Sequence, residues 1–185
     1  DLACGSGSLL MGAYERKANL LRGEITEEVH KDFVNRELTG VDLMPFAAHL
    51  ATVQLALRNP GYDTNKTQIA IEDSTALRPG DTISPTREQM RYGQSSLENW
   101  NGDQETVEAG ATSEFEFELG TFDTVIMNPP FTRKQKITSE YREDLRTQHL
   151  TEYVEYINDE MGYYGYFLLL ADRFLNDNGR IAMVI

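Results

Sequence analysis

A short apolar segment that ends in two prolines places the strongest constraint on the fold. Phe122–Met127 is almost continuously apolar, which is typical of a parallel strand buried on both faces. Pro129 and Pro130 follow Asn128 directly, and neither proline can donate a ladder hydrogen bond. The strand must therefore end there, with Asn128 held in an extended conformation at its carboxyl end.

The Asn128-Pro129-Pro130-Phe131 motif also carries groups that can recognise a substrate. The Asn128 amide oxygen and a neighbouring main-chain carbonyl can accept the two hydrogens of an exocyclic amino group. Phe131 adds an aromatic face on which a planar ring can stack. The same four residues also fit a turn that only closes a strand, so the motif alone leaves both interpretations open.

A glycine-rich segment precedes an amphipathic helix at the start of the chain. This glycine loop is Asp1-Leu2-Ala3-Cys4-Gly5-Ser6-Gly7, and Leu10, Tyr14, Ala18 and Leu21 follow at helical spacing. Glycines let a ligand approach the backbone, and a helix N-terminus offers free N–H groups to a carboxylate or phosphate. A loop serine can equally just cap the helix. A dinucleotide fingerprint needs a third glycine where Leu10 stands, which argues against a dehydrogenase.

Strands and helices alternate along the remaining chain. Predicted strands are Leu38–Leu43, Gln68–Glu72, Phe122–Met127 and Ile181–Ile185. Predicted helices are one that begins at Pro45 and buries Phe46, Leu50, Val53 and Leu57, a stripe over Leu150–Met161, and Tyr163–Leu175. This alternation predicts an α/β fold with a mostly parallel sheet and helices on both faces. Ligands bind at the carboxyl ends of such strands, where Asp1, Asp42, Asp73 and Asn128 fall.

A polar tract divides the chain into two halves. Residues 78–120 are rich in Gly, Ser, Thr and acidic side chains, and a tract of this length predicts an insertion. Within it, Phe115, Phe117 and Leu119 alternate with glutamates, as in a half-buried strand. We expect one domain over residues 1–185: a cofactor half of about 1–77, the acidic insertion of about 78–120, and a catalytic half of about 121–185.

The net charge of −13 opposes binding to nucleic acid, since phosphates need Lys and Arg. Much of the acid is local, because eight acidic residues and no Lys or Arg lie between Tyr92 and Thr132. A basic cluster of Arg133, Lys134 and Lys136 follows the Asn-Pro-Pro-Phe motif directly. It is either a phosphate-contact site or an ordinary solvated surface. Any affinity for nucleic acid would then come mostly from elsewhere, unless the source is salt-loving.

Other features exclude several classes of protein. Cys4 is the only cysteine, so an intramolecular disulfide cannot form, and we expect it to be buried. No apolar run reaches the roughly 20 residues of a membrane span. His30, His49 and His149 lack metal-ligand spacing and are expected at the surface or at caps. The first residue is not Met and the last residues are those of a strand, so we expect a segment excised from a longer protein.

Together, the glycine loop and the Asn-Pro-Pro-Phe motif resemble the S-adenosylmethionine-dependent amino-methyltransferases. The likeness is greatest to adenine-specific DNA methyltransferases of restriction–modification systems, including type I modification subunits and fused restriction–methylation enzymes. In that family an Asp-x-Ala-Cys-Gly-Ser-Gly motif opens the cofactor site, and Asn-Pro-Pro-Phe or Asn-Pro-Pro-Tyr holds the target amine. The resemblance implies a three-layer Rossmann-like class I methyltransferase fold, truncated here at both ends. It also implies a prokaryotic cytoplasmic enzyme that works on DNA, with a specificity or restriction subunit as a further partner.

The resemblance also implies roles for single residues. Asp42 would accept the ribose hydroxyls of S-adenosylmethionine, Asp73 with Ser74 would accept from its adenine amino group, and Asp1 would lie near its methionine end. The whole expected cofactor site is Asp1, Ala3, Cys4, Gly5, Ser6, Gly7, Asp42, Leu43, Asp73 and Ser74. Asp42 and Asp73 also fit ordinary strand-end turns, and Leu43 also fits the core.

The expected reaction is in-line methyl transfer to the exocyclic amine of an adenine flipped out of duplex DNA. Asn128 and the Pro129 carbonyl would accept the two amine protons, and Phe131 would stack on the base. The motif fits other planar amines equally: the cytosine amine in DNA, guanine in RNA, or a protein glutamine. A non-catalytic assembly module with a methyltransferase fold is the alternative from another class.

Overall fold

The structure is a computed structural model that describes residues 1–22, 24–62, 64, 66–84, 115–131 and 137–185. The basic cluster of Arg133, Lys134 and Lys136, together with most of the acidic insertion, lies outside the described residues.

The described ranges contain both α-helices and strands, as predicted, but the two do not alternate strictly along the chain. The α-helices are α1 Ser8–Leu21, α2 Glu27–Asp32, α3 Pro45–Ala56, α4 Ser139–Asp144 and α5 Tyr163–Arg173. The strands are β1 Thr39–Asp42, β2 Gln68–Ile71, β3 Thr82–Ile83, β4 Phe117–Glu118, β5 Phe122–Met127 and β6 Leu175–Met183. Single 3₁₀ turns span Ser74–Ala76 and Thr151–Tyr153, and π-helical turns span Phe33–Glu37 and Leu145–His149.

The strands form three two-stranded sheets. β1 pairs in parallel with β2, and β5 pairs in parallel with β6. β3 and β4 are antiparallel, so the two ends of the acidic insertion are joined where Ile83 faces Phe117. The fold is therefore mixed α/β with small parallel sheets, and the described residues do not form the single continuous sheet that the alternation predicted.

The two parallel pairs flank a cavity. It has a volume of about 890 Å³ and is lined by residues of both β1 and β5. Along β5, Asp123 and Thr124 are exposed, whereas Val125 and Met127, which line the same cavity, are buried. The prediction that β5 is buried on both faces is therefore wrong for its first half.

The buried face of α3 differs from the predicted face. Phe46 is 79% exposed, and Ala48, Ala51 and Leu55 are buried instead. The reason is a close approach of the glycine loop: a Cβ on Gly7 would lie 2.9 Å from the Cβ of Ala51. A small side chain at position 51 tolerates that distance and a large one would not, and Phe46 lies on the exposed side of the helix. The other predicted core residues of α3 are also exposed: Leu50, Val53 and Leu57.

Two other helical predictions need correction. In α1 the predicted face is correct for Leu10 and Tyr14, which are buried, but Leu21 at the end of the helix is 52% exposed. The stripe over Leu150–Met161 is not an α-helix. Leu150 has φ −115° and ψ 42°, which is outside the helical region. The His149 carbonyl, which a continuing helix would use, accepts hydrogen bonds from two arginine side chains.

The predicted final strand forms as part of β6. Ile181 and Met183 pair with β5, but β6 begins earlier, at Leu175. The ladder is irregular around Asn178, which has a left-handed φ of 65°. The expected Asn-Gly turn is therefore a local irregularity inside the strand.

His30 is fully buried, which corrects the expectation of a surface or capping residue. Its Nδ1 lies 2.7 Å from the Tyr14 hydroxyl and 3.2 Å from the Asn59 Nδ2. Asn59 also donates to the Tyr14 oxygen at 2.7 Å, so the Tyr14 proton is available to His30. The ring therefore accepts at Nδ1 and is neutral, and burial lowers the pKa of His30 from its ordinary value.

This arrangement predicts acid sensitivity of folding. Because the pKa of His30 is lower in the folded than in the unfolded chain, the unfolded chain binds more protons as the pH falls through 6.5, the ordinary His value. The free energy of unfolding should fall over that window, and His30→Asn, which does not titrate, should weaken the dependence. Chemical denaturation at pH 7.5 and pH 5.5 measures the change in the free energy of unfolding, and His49→Asn is the control. An unchanged pH dependence in His30→Asn would contradict the assignment.

Candidate cofactor and substrate site

The glycine loop folds onto the carboxylate of Asp42. Asp42 Oδ2 accepts from the Gly5 N–H at 2.8 Å, and Oδ1 accepts from the Met44 N–H at 2.8 Å. Gly5 and Gly7 have φ of +51° and +86°, in the left-handed region that favours glycine. The loop and the carboxyl end of β1, which the sequence predicted as parts of one site, are therefore in direct contact.

Main-chain hydrogen bonds fix the loop at this place. The Asp1 N-terminal nitrogen donates to the Thr39 carbonyl at 2.8 Å. Val41 donates to the Asp1 carbonyl at 2.8 Å, and Cys4 donates to the Val41 carbonyl at 2.9 Å. The Asp1 side chain accepts from the Ala3 N–H at 3.1 Å. The loop thus continues the hydrogen-bonding pattern of β1 before it turns into α1.

Cys4 packs beneath the loop. Its Sγ is 3.1 Å from the position that a Cβ on Gly40 would take. Burial, with the negative charge of Asp42 nearby, raises the pKa of the Cys4 thiol to about 12. The thiol therefore stays protonated and serves packing rather than nucleophilic chemistry. This agrees with the predicted buried cysteine.

Asp73 lies at the carboxyl end of β2, beside Asp42. In the parallel register Asp42 faces Ile71, two residues before Asp73. Asp73 Oδ1 accepts from the Thr75 N–H at 3.0 Å and from the Thr75 hydroxyl at 2.7 Å. Its Oδ2 accepts no hydrogen bond from the residues that the structure describes. Ser74, the other predicted residue here, is buried in the 3₁₀ turn.

Three residues near Asp73 were not identified from the sequence. His149 Nδ1 lies 2.9 Å from the Thr75 hydroxyl. The rings of Tyr141 and Tyr163 lie 6.0 Å apart. Burial, followed by the charge of Asp73, raises the pKa of both phenols, that of Tyr141 to about 12. Both phenols therefore stay neutral and feel the charge of Asp73, and no local pattern predicts an interaction between residues so far apart in sequence.

Leu43 lies at the open side of this site. It is 67% exposed next to Asp42, and the neighbouring Met44 is 63% exposed. Leu43 therefore does not belong to the core, which was the alternative to its predicted cofactor role.

The Asn-Pro-Pro-Phe motif follows β5 as predicted. The Val184 N–H donates to the Met127 carbonyl at 3.1 Å, which closes the ladder. Pro129 is buried, whereas Asn128 and Pro130 are exposed. Phe131 is 69% exposed, so its ring is available for stacking.

The residues next to the two motifs share one region of the core. Leu2 of the glycine loop and Met127 of β5 belong to the same hydrophobic cluster, with Ala70 and Phe167. Asp1 and Met127 also line the same cavity. The loop and β5 are therefore near neighbours.

Two classes of feature are missing from the described part of the chain. No group of His, Cys, Asp and Glu there has an arrangement that could hold a metal ion. None of its helices combines the length and the apolar character that crossing a membrane requires.

Comparison with known proteins agrees with the resemblance seen in the sequence. A search of curated proteins gave no match. A model of the Eco57I restriction-modification methylase family matches residues 36–185, which contain Asp42, Asp73 and the Asn-Pro-Pro-Phe motif. The match covers most of the chain. The protein therefore belongs to the Eco57I restriction-modification methylase family.

Proposed function

We propose that this protein transfers the methyl group of S-adenosylmethionine to the exocyclic amine of adenine in DNA, as the modification part of a restriction–modification system. The observation that carries the proposal is the contact between Asp42 and Gly5 at 2.8 Å, beside Asp73, in a chain of this methylase family. A glycine loop folded onto a strand-end carboxylate is the arrangement that a nucleoside needs.

The residues present fit the cofactor. Each oxygen of Asp42 accepts one hydrogen bond from the described residues, so each keeps a lone pair for a ribose hydroxyl. Within the described part of the chain, Asp73 Oδ2 accepts no hydrogen bond, so it can accept from the adenine amino group, and no described atom lies within 4 Å of the position of a Cβ on Gly5. The remaining proposed contacts are Asp1, Ala3, Cys4, Ser6, Gly7, Leu43 and Ser74.

In this proposal the Asn-Pro-Pro-Phe motif holds the target base. When bound, S-adenosylmethionine supplies an activated methyl group whose sulfonium charge disappears on transfer, so a strong general base is not required. Asn128 and the Pro129 carbonyl accept the two amine protons and orient the nitrogen lone pair. Pro130 stiffens the turn, and Phe131 stacks on the flipped base.

We further propose that the parallel pairs belong to one three-layer Rossmann-like sheet. The main chain at Asp1 and Cys4 already forms hydrogen bonds with β1. Asp1 also lines the cavity that residues of β5 line. The division into a cofactor half, an acidic insertion and a catalytic half belongs to the same proposal. So do DNA phosphate contacts by Arg133, Lys134 and Lys136, and a specificity or restriction subunit as partner.

Labelled methyl transfer tests this function. With full-length protein and methyl-labelled S-adenosylmethionine, we expect label in N6-methyladenine of duplex DNA and none in adenine-free duplex. Label in cytosine, RNA or protein glutamine would show that this group, and not adenine, is the methyl acceptor. Absence of label from all of these acceptors would contradict the proposed chemistry.

Asn128→Ala should separate turnover from cofactor binding. Loss of the amide oxygen misplaces the amine, and we expect kcat to fall by at least about 100-fold. The affinity for S-adenosylhomocysteine, measured by calorimetry, should stay near the wild-type value because Asn128 lies outside the Asp42–Asp73 site. Asn19→Ala, an exposed asparagine on α1, is the matched control. A parallel loss of cofactor affinity and activity would refute the assignment.

Phe131→Ala should weaken binding of a flipped-base substrate. Stacking on an aromatic ring contributes about 1–3 kcal/mol per base, so we expect weaker binding to a duplex that carries a mismatch at the target position. The target is first identified by sequencing methylated DNA. Tyr156→Ala, which removes an aromatic ring of similar exposure, is the control. Equal affinities for wild type and Phe131→Ala on matched and mismatched duplexes would exclude stacking.

A further inference from the structure

A nearly buried arginine joins three segments next to Asp73. The side chain of Arg173, the last residue of α5, is only 5% exposed. Its Nη1 donates to the carbonyls of Leu77 at 2.8 Å and Thr75 at 3.2 Å. Its Nη2 donates to the His149 carbonyl, and its Nε donates to Glu152 at 2.6 Å. One guanidinium therefore links α5, the turn after β2, and the chain after α4.

Two of the three residues whose carbonyls Arg173 binds, Thr75 and His149, are also linked to Asp73 through side-chain hydrogen bonds. The Thr75 hydroxyl donates to Asp73 Oδ1 at 2.7 Å and lies 2.9 Å from His149 Nδ1. Because that hydroxyl donates its one proton to Asp73, it accepts from His149. A hydrogen-bonded chain thus runs from His149 through Thr75 to Asp73, and Arg173 fixes the main chain at its first two members. The carboxylate is held through Oδ1, and its Oδ2, which accepts no hydrogen bond from any residue that the structure describes, can accept one from a ligand.

Lysine cannot reproduce this arrangement. A guanidinium spreads its donors in a rigid planar fork, and Arg173 uses them on three carbonyls and one carboxylate from separate segments. An ammonium group is a compact charge on a flexible stem and cannot reach all four acceptors at once. Arg173→Lys therefore keeps the charge but loosens the turn that carries Asp73.

We propose that Arg173 is a positioning residue for nucleobase recognition: it sets the orientation of Asp73 Oδ2 and so the preference for a 6-amino group over a 6-oxo group. This inference rests on the proposed function, because it requires a bound adenosine. A 6-oxo group presents an acceptor where Asp73 requires a donor, so selection depends on the exact placement of this carboxylate. If Arg173 only stabilised the fold, its substitution would change the affinities for adenosine and inosine ligands by the same factor.

The test measures a ratio of affinities in the full-length protein. Dissociation constants for S-adenosylhomocysteine and its 6-oxo analogue, S-inosylhomocysteine, are determined by calorimetry. We expect the wild type to prefer the adenosyl ligand by about tenfold or more. Arg173→Lys should lower this ratio several-fold, as should Thr75→Val, whereas Thr75→Ser, which keeps the hydroxyl, should restore it. Arg58→Lys, which loosens the ion pair between Arg58 and Glu15 of α1, should leave the ratio unchanged.

The outcomes separate this inference from the proposed function. If the wild type binds neither ligand, the proposed function fails and the inference fails with it. If the wild type prefers the adenosyl ligand and Arg173→Lys keeps the same ratio, only the inference is overturned. Should Arg173→Lys fail to fold, Glu152→Gln removes the countercharge while leaving Arg173 in place. It should also lower the ratio, and a wild-type ratio in that variant would overturn the inference.

Discussion

The hydrogen bonds to the carboxylate of Asp42 are the interaction on which the rest of the site depends. They hold Gly5 and Met44 at 2.8 Å each, so the loop before α1 and the turn before α3 meet at the end of β1. With the loop held there, Gly7 comes close enough to α3 to require the small side chain of Ala51. The packing of α1 and α3 and the open surface above Gly5 follow from this one carboxylate.

A second set of contacts ties the other half of the chain to the same edge. The Thr75 hydroxyl is hydrogen-bonded to His149, and the Thr75 carbonyl accepts a hydrogen bond from Arg173. The Asp73 turn is therefore fixed by segments that follow the Asn-Pro-Pro-Phe motif in sequence. Under the proposed function, cofactor recognition and the catalytic half are mechanically connected. This connection supports the proposal that both halves form one domain.

Local sequence rules were sufficient for much of the fold. The helix starting at Pro45 and the strand Phe122–Met127 were predicted correctly, and the predicted strand Leu38–Leu43 forms as Thr39–Asp42, because prolines and apolar runs act within a few residues. Failures arose where distant residues decide. Helical spacing could not choose the face of α3, since that choice depends on Gly7, which lies some 40 residues earlier. It could not predict the break at Leu150, where arginine side chains bind the preceding carbonyl.

The candidate site shows the same division. The motifs identified the strand-end residues Asp42, Asp73 and Asn128 because a polar residue after an apolar run is a local signal. The residues that orient Asp73 carry no such signal: His149 and Thr75 lie 74 positions apart, and Arg173 and Thr75 lie 98 apart. Burial of His30 was likewise missed, because its partners Tyr14 and Asn59 come from α1 and from the bend after α3.

The most direct test of the central claim is a crystal structure of the full-length protein with S-adenosylhomocysteine. The account predicts the ribose hydroxyls on Asp42, the adenine amino group on Asp73, and the sulfur facing Asn128 across one cleft. A ligand bound elsewhere, or Gly5 and Asn128 on opposite faces of the sheet, would contradict it.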